Sequence, residues 1–280
     1  MRLVIQGLQI TPAQLAHIST LAGGGSFHQT AKLAFRLAIP QLSDETVADI
    51  SAYCTQQWLD FAFVPDPLTL DSIGLVVMDM DSTLISIECI DEVADMQNLK
   101  PQVAAITESA MRGEMEFAES LRQRVALLHG LDQSALQRVY DERLQLSPGA
   151  EIMLAALKQR GIKTMLVSGG FDFFTDRLKT RLGLDYAESN KLEIIDGKIT
   201  GKVVGTILDA QSKADWLNKI SAQLGLKKHQ VIAIGDGSND LRMMADAGYS
   251  VAYHAKPIVR AQATFAFNHV GLDGLIGLLS

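Results

Sequence analysis

The chain has 280 residues, 48% of them hydrophobic, and a formal net charge of −7. That is enough apolar sequence for one large domain or two unequal ones. The acidic balance argues against nonspecific nucleic-acid binding, which depends on Lys and Arg meeting phosphates, but leaves a small anionic substrate admissible because a local site can oppose the global charge.

Cys54 and Cys89 are the only cysteines, so a disulfide framework is not expected and a reducing cytoplasm is the default reading. No apolar run approaches the length of a membrane span, and the opening segment turns polar too quickly for a signal peptide. Neither a membrane nor a nucleic-acid partner is expected.

In chain order, Leu3–Ile5 reads as a strand, and Thr11 followed by Pro12 opens a helix as N-cap and first helical residue. Gly23-Gly24-Gly25 breaks the chain, Phe27 to Ile39 carries one or two strands, Asp44 to Trp58 a helix, and Phe61–Val64 a short strand. Pro65-Asp66-Pro67 then looks like a linker. Residues 1–68 are therefore expected to form a small α+β domain.

From Leu75 the pattern becomes α/β. Strands are predicted at Leu75–Met80, Lys163–Ser168, Val231–Ile234, Ser250–Tyr253 and Thr264–Phe267, and a hairpin at Leu192–Ile195 and Lys198–Val203 around Asp196-Gly197. Short continuous apolar strands separated by helices suit a doubly wound (Rossmann-like) parallel sheet covered on both faces. The segment between the first two of these strands is far longer than a crossover needs. Its excess, about residues 85–146, is helical in pattern and reads as a cap inserted into a domain spanning 72–280. Trp58 and Trp216 read as core or interface residues.

Four sites carry chemistry. Asp79 and Asp81 follow an apolar strand at i and i+2, and in an extended strand such residues share one face while Met78 and Met80 pack on the other. A carboxylate at the carboxyl end of a parallel strand can attack phosphorus and carry a phosphoryl group. Ile234-Gly235-Asp236-Gly237-Ser238-Asn239-Asp240 adds Asp236 and Asp240 as hard oxygen ligands. Four carboxylates facing phosphate need a cation among them, which points to Mg²⁺. Ser168-Gly169-Gly170 at another strand end offers a hydroxyl and turn N–H groups as an anion cradle. Lys213, near a helix start, could hold phosphate. Singly, each of these is also an ordinary turn, loop or surface residue; their ordered occurrence at element boundaries is what argues for a site.

Asp79-x-Asp81-Ser82-Thr83, Ser168-Gly169, Lys213 and Gly235-Asp236-Gly237-x-Asn239-Asp240 resemble the four motifs of the haloacid dehalogenase superfamily. Dehalogenases lack the acid two residues after the nucleophile, so Asp81 implies a phosphatase. Within the superfamily, Glu88 in Ser86–Glu92 and the stretch Met111–Val125 resemble the cap of the phosphoserine phosphatases. The resemblance implies an aspartyl-phosphate on Asp79, with Asp81 as general acid and base. Ser168, Gly169, Lys213 and Asn239 would then lie around the phosphate. Mg²⁺ would sit on Asp79, the backbone carbonyl of Asp81 and Asp236, with Asp240 in support. It further implies that Glu88 receives the substrate ammonium, Arg124 its carboxylate, and that Met111 and Phe117 line the pocket.

Helix periodicity also puts Arg124 on the face of Phe117, Leu121, Val125 and Leu128, where it either snorkels or aims into a pocket. A solvated helix face would account for Glu88 equally well. Another small phosphate ester remains an alternative substrate. Residues 1–68 resemble an ACT-like regulatory domain, which leaves serine sensing and a homodimer through that domain open.

Overall fold

The protein was analysed as a computed structural model that describes residues 1–39, 42–112 and 114–280. The side chain of Met111 lies outside the described residues, and so does its expected place in the pocket.

The amino-terminal module runs β1 (Arg2–Gln6), α1 (Pro12–Leu21), β2 (His28–Ala31), β3 (Ala34–Ala38), α2 (Asp44–Gln56) and β4 (Asp60–Val64). A capping box starts α1: the Gln14 N–H donates to Thr11 Oγ1 at 3.3 Å, and the Thr11 N–H donates to Gln14 Oε1 at 2.8 Å. The four strands form an antiparallel sheet in the order β2-β3-β1-β4. Each helical connection therefore spans a strand inserted between its ends, which is the split-βαβ order. Period-two alternation gives the sheet two apolar faces. Leu3, Ile5 and Leu37 pack with Ile18, Ile50 and Cys54 of the helices. Val4, Ala62 and Val64 face the other way, into the core of the larger unit.

Trp58 is not a core residue. It is 73% exposed at a left-handed turn (φ 56°) after α2, with its ring 5.3 Å from that of His269.

The larger unit starts with β5 (Leu75–Met78). The cap follows as α3 (Cys89–Asp95), α4 (Lys100–Met111), α5 (Phe117–Ala126) and α6 (Ser134–Glu142), closed at its base by a bridge between Ile85 and Leu146. The Arg143 guanidinium clamps Glu92 and Asp95 at 2.6 and 2.7 Å, fastening the end of the cap to its beginning.

The chain then alternates: α7 (Ala150–Gln159), β6 (Lys163–Phe171), α8 (Asp172–Leu182), β7 (Tyr186–Ile195), β8 (Lys198–Val204), α9 (Ala210–Gln223), β9 (Val231–Gly235), α10 (Leu241–Asp246), β10 (Tyr249–Tyr253), α11 (Pro257–Arg260), β11 (Phe265–Phe267) and α12 (Gly274–Leu279). The sheet order is β11-β10-β9-β5-β6-β7-β8, parallel except for the β7–β8 hairpin. Asp196 (φ 50°) and Gly197 (φ 75°) both turn left-handed at the hairpin tip, as a tight primed turn requires.

Three expectations change in detail. The first strand stops at Met78, so Asp79 and Asp81 stand on the extended start of a turn rather than on the strand itself. Strand β6 runs on through Ser168-Gly169-Gly170 to Phe171, where a glycine turn was expected. The hairpin strand β7 begins six residues early, at Tyr186, and its first half pairs in parallel with β6.

The two sheets meet at α12. Leu272, Leu275 and Leu278 join the core that includes Val4 and Val64, and Gln6 Nε2 donates to the Gly274 carbonyl at 2.7 Å. Asp60 accepts the N–H groups of Asn268, His269 and Val270 at 2.8, 2.9 and 3.0 Å.

Candidate active site at the carboxyl end of the parallel sheet

Strand order reverses around β5: the chain runs outward through β6 and β7, then returns to β9 on the other side. Ligands of open α/β sheets bind at such a switch point. The carboxyl ends of β5, β6 and β9 bring Asp79, Ser168 and Asp236 to one cavity of about 570 Å³ under the cap.

Asp79 continues β5, donating its N–H to the Ile234 carbonyl at 3.0 Å. Its carboxylate is buried, and Oδ1 accepts the Met80 N–H and the Lys213 ammonium, both at 2.7 Å. Lys213 is 1% exposed rather than a surface lysine, and it reaches Asp240 Oδ1 at 2.8 Å as well. The Asp209 side chain caps α9 by accepting the Ser212 N–H at 2.8 Å, which places Lys213 in the first turn facing the cavity floor. Asp240 Oδ2 in turn accepts the Gly237 N–H at 3.1 Å. Gly235 is required by proximity, because a Cβ there would stand 2.4 Å from Asp240 Oδ2.

The glycines after Ser168 serve the same purpose. A Cβ on Gly169 would lie 3.0 Å from the Phe117 ring, and one on Gly170 would lie 2.8 Å from Met80 Cε and 2.9 Å from Asp81 Oδ2. The Ser168 hydroxyl accepts the Gly170 N–H at 2.8 Å.

The turn after β5 is held from several sides. Thr83 Oγ1 donates to Asp236 Oδ1 at 3.3 Å. Ser82 adopts a left-handed conformation (φ 54°) and donates its hydroxyl to Glu88 Oε1 at 2.7 Å. The Cys89 N–H donates to Asp81 Oδ1 at 2.9 Å.

On the cap side, Arg124, Phe117, Leu121 and Met115 line the cavity, with the Arg124 Nε donating to the Ser120 carbonyl at 3.4 Å. Glu88 and Asn239 also line it. The cavity thus joins every sequence-predicted site residue whose side chain is described, with Lys213 and Asp240 beneath its floor.

The electrostatics are dominated by buried acids. Burial, then the charge of Asp240, pushes the Asp79 carboxyl well above the usual carboxylate range, against the pull of Lys213. Burial likewise raises Asp81, against the pull of its hydrogen bonds to Cys89. Asp236 is pushed up to about 6 by burial and then by Asp240. Glu88 opens on the water of the cleft mouth, yet the protein walls desolvate it and, with Asp81, push it up to about 7. Burial depresses Lys213, but Asp240 and Asp79 outweigh it and hold the ammonium above its usual range.

Asp79, Asp236 and Asp240 each offer a carboxylate oxygen, all within 4.8 Å of one another. An all-oxygen set in which burial and the neighbouring charge of Asp240 push Asp79 and Asp236 toward protonation fits a hard divalent cation, which would oppose those two shifts. Asp81 contributes no carboxylate oxygen to that set; its Oδ1 is engaged by Cys89.

Sequence reasoning missed Asn190. Its buried amide donates from Nδ2 to the Gly169 carbonyl at 2.8 Å and accepts the Leu208 N–H at 2.7 Å. It thereby ties the Ser168 strand to the segment that launches α9. No local signal marks it, since its partners lie 21 and 18 residues away.

The family profile of haloacid dehalogenase-like hydrolases matches residues 73–248. A phosphoserine phosphatase of Polaromonas sp. is 54% identical over 220 residues, covering 77% of this chain and 93% of that protein. One of Vibrio cholerae is 41% identical over 277 residues, covering 99% and 84%. Among solved structures, a HAD-family hydrolase from Salmonella enterica serovar Typhi superposes with a TM-score of 0.91 at 34% identity, covering 100% of this chain and 98% of that one.

Proposed function

The chain belongs to the haloacid dehalogenase-like hydrolases, and from that premise we propose that it hydrolyses O-phospho-L-serine to serine and phosphate with Mg²⁺. The observation that carries this reading is one cavity with a locked carboxylate on its floor and a cap wall bearing Glu88 and Arg124.

Asp79 Oδ1 is fixed by two donors at 2.7 Å, which leaves Oδ2 to attack phosphorus in line. The bond from phosphorus to the serine oxygen breaks, and Asp81 gives that oxygen its proton. Asp81 then takes a proton from the water that attacks the aspartyl-phosphate, which releases phosphate and restores Asp79. Acid–base help of this kind contributes about 10²–10⁴-fold. Lys213, the Ser168 hydroxyl, the Gly169 N–H and Asn239 carry the charge of the transferring group. Mg²⁺ on Asp79, Asp236 and the Asp81 carbonyl, backed by Asp240, would supply further positive charge and screen phosphate from the carboxylates. Glu88 reads the ammonium, and Arg124 reads the carboxylate with a planar fork suited to it.

The reading extends to the rest of the chain. Residues 1–68 form an ACT-like domain, a proposal supported by the split-βαβ strand order, and a homodimer through that domain is the assembly that goes with it. Residues 72–280 form the catalytic domain, with its cap at about 85–146, and the protein works in the cytoplasm.

Phosphate release from a panel of phosphomonoesters, with Mg²⁺ and with chelator, tests the proposal. Phosphoserine should give the highest kcat/KM, chelation should remove activity, and Asp79→Asn should abolish turnover and phosphoenzyme formation. A better ester in the panel would overturn the substrate, and normal turnover by Asp79→Asn would overturn the nucleophile.

A further inference from the structure

Resting on that phosphatase reading, we propose that Asn190 is a positioning residue that holds Ser168, Gly169 and Gly170 in the shape in which they cradle the transferring phosphoryl group. The need for a support lies in the sheet. Val167 pairs with Glu188 and Phe171 with Asn190, so Ser168, Gly169 and Gly170 of β6 stand opposite Ser189 alone. The ladder is interrupted there, where β6 reaches the cavity. Two consecutive glycines bring no side chain to stiffen the gap.

Asn190 supplies what the ladder does not. Its amide is 1% exposed, donates from Nδ2 to the Gly169 carbonyl at 2.8 Å and accepts the Leu208 N–H at Oδ1 at 2.7 Å. A carbonyl only accepts and a backbone N–H only donates, so the two partners together fix which end of the amide faces which. Leu208 precedes Asp209, the N-cap of α9, so the support rests on the segment that launches Lys213.

The effect reaches phosphate through one peptide unit. The Gly169 carbonyl and the Gly170 N–H belong to the same planar group. Asn190 holds the carbonyl, and the N–H donates to Ser168 Oγ at 2.8 Å. With Oγ accepting that N–H, the Ser168 hydroxyl proton is left to donate to a phosphoryl oxygen. Asn190 acts at one remove from the substrate.

A buried, fully bonded asparagine is often only a fastener. Fastening accounts for the burial and both bonds, and it predicts a loss of stability alone. Positioning predicts a loss at the phosphoryl end of the reaction, whichever ester carries the group.

The values of kcat and KM for phosphoserine and p-nitrophenyl phosphate, and Ki for orthovanadate, would be measured with Mg²⁺. The proteins are wild type, Asn190→Leu, Asn190→Ala, Ser168→Ala and the double variant of Asn190→Ala with Ser168→Ala. Circular dichroism melts set an assay temperature at which each is folded. Leucine is close to asparagine in volume, and alanine, which leaves room for a water, keeps the test open if leucine prevents folding. Either substitution should lower kcat/KM about three- to tenfold on both esters, the weight of one hydrogen bond, and chiefly through kcat. The Ki for orthovanadate, whose five-coordinate form resembles the transferring group, should rise by a similar factor. Removing Asn190 from the Ser168→Ala protein should cost less than removing it from wild type, because the hydroxyl it positions is already gone. A lower melting temperature with unchanged kcat/KM, a rise in KM for phosphoserine alone, or the same loss with and without Ser168 would overturn the inference. A wild-type protein that hydrolyses neither ester would overturn the phosphatase reading instead.

Discussion

Replacing Lys213 with methionine removes one buried cation and leaves two buried carboxylates facing each other. The ammonium is 1% exposed and lies 2.7 Å from Asp79 and 2.8 Å from Asp240, which are 6% and 0% exposed. Breaking a buried pair by deleting one partner costs about 3–5 kcal/mol, because the remaining charge keeps its desolvation penalty. At about 2–4 °C per kcal/mol for a chain of this size class, the melting temperature should fall by roughly 6–20 °C.

The sign with pH follows from the shifts. Lys213 is raised above its unfolded value, so its contribution in the wild type is fully present below about pH 10.4 and is lost only at more alkaline pH. In the variant, Asp79, already raised by burial and Asp240, loses the opposing pull of the ammonium. A carboxyl raised in the folded state destabilises above its unfolded value of about 3.9 and recovers as pH falls toward it. The deficit against wild type should therefore be larger at pH 8 than at pH 5. Circular dichroism melts in chelator at both pH values read the stability, and phosphate release should show kcat/KM down by about 10²–10³-fold. A melting change under about 2 °C, or a deficit that grows in acid, would refute the role of Lys213 as the counter-ion beneath the nucleophile.

Arg124→Ala should lower kcat/KM for phosphoserine by roughly 10–100-fold, the weight of a charged hydrogen bond pair. An ester lacking the carboxylate should lose much less, and equal losses would show that Arg124 does not read the substrate. Because Glu88 is pushed up to about 7, the preference for phosphoserine over an ester lacking the amine should climb as pH rises through that value. Glu88→Gln should flatten the climb, and a wild-type preference independent of pH would sink the assignment. Asp60→Ala should cost about 2–4 kcal/mol in denaturant unfolding, because three backbone N–H groups lose their charged acceptor. The same variant should keep its kcat, and a loss of turnover without a loss of stability would contradict the structural role.

What was legible in the sequence was local. Apolar runs marked β5, β9 and β10, Thr11 and Pro12 marked the start of α1, and Asp79, Asp81, Asp236 and Ser168 stood beside strand ends where the fold delivers chemistry. The cap announced itself by excess length. Non-local features left no such mark. The first half of β7, Tyr186-Ala187-Glu188-Ser189-Asn190, is mostly polar, and only parallel pairing with β6 makes it a strand. Gly169 and Gly170 looked like turn residues, yet they lie within an extended strand and are small because Phe117, Met80 and Asp81 crowd them. The helical stripe left Arg124 between surface and pocket, a choice set by the cavity wall it joins. Nothing in the residues around Cys89 marked it as a neighbour of Asp81, since the contact depends on how the turn folds back onto the cap.

The second apolar face of the amino-terminal sheet has a consequence for synthesis. Val4, Ala62 and Val64 belong to the core completed by Leu272, Leu275 and Leu278, more than two hundred residues downstream. At ~5–20 residues per second, the sheet emerges from the ribosome roughly 10–40 s before the helix that covers it. During that interval the nascent chain carries a naked hydrophobic surface, making it a client for holding chaperones.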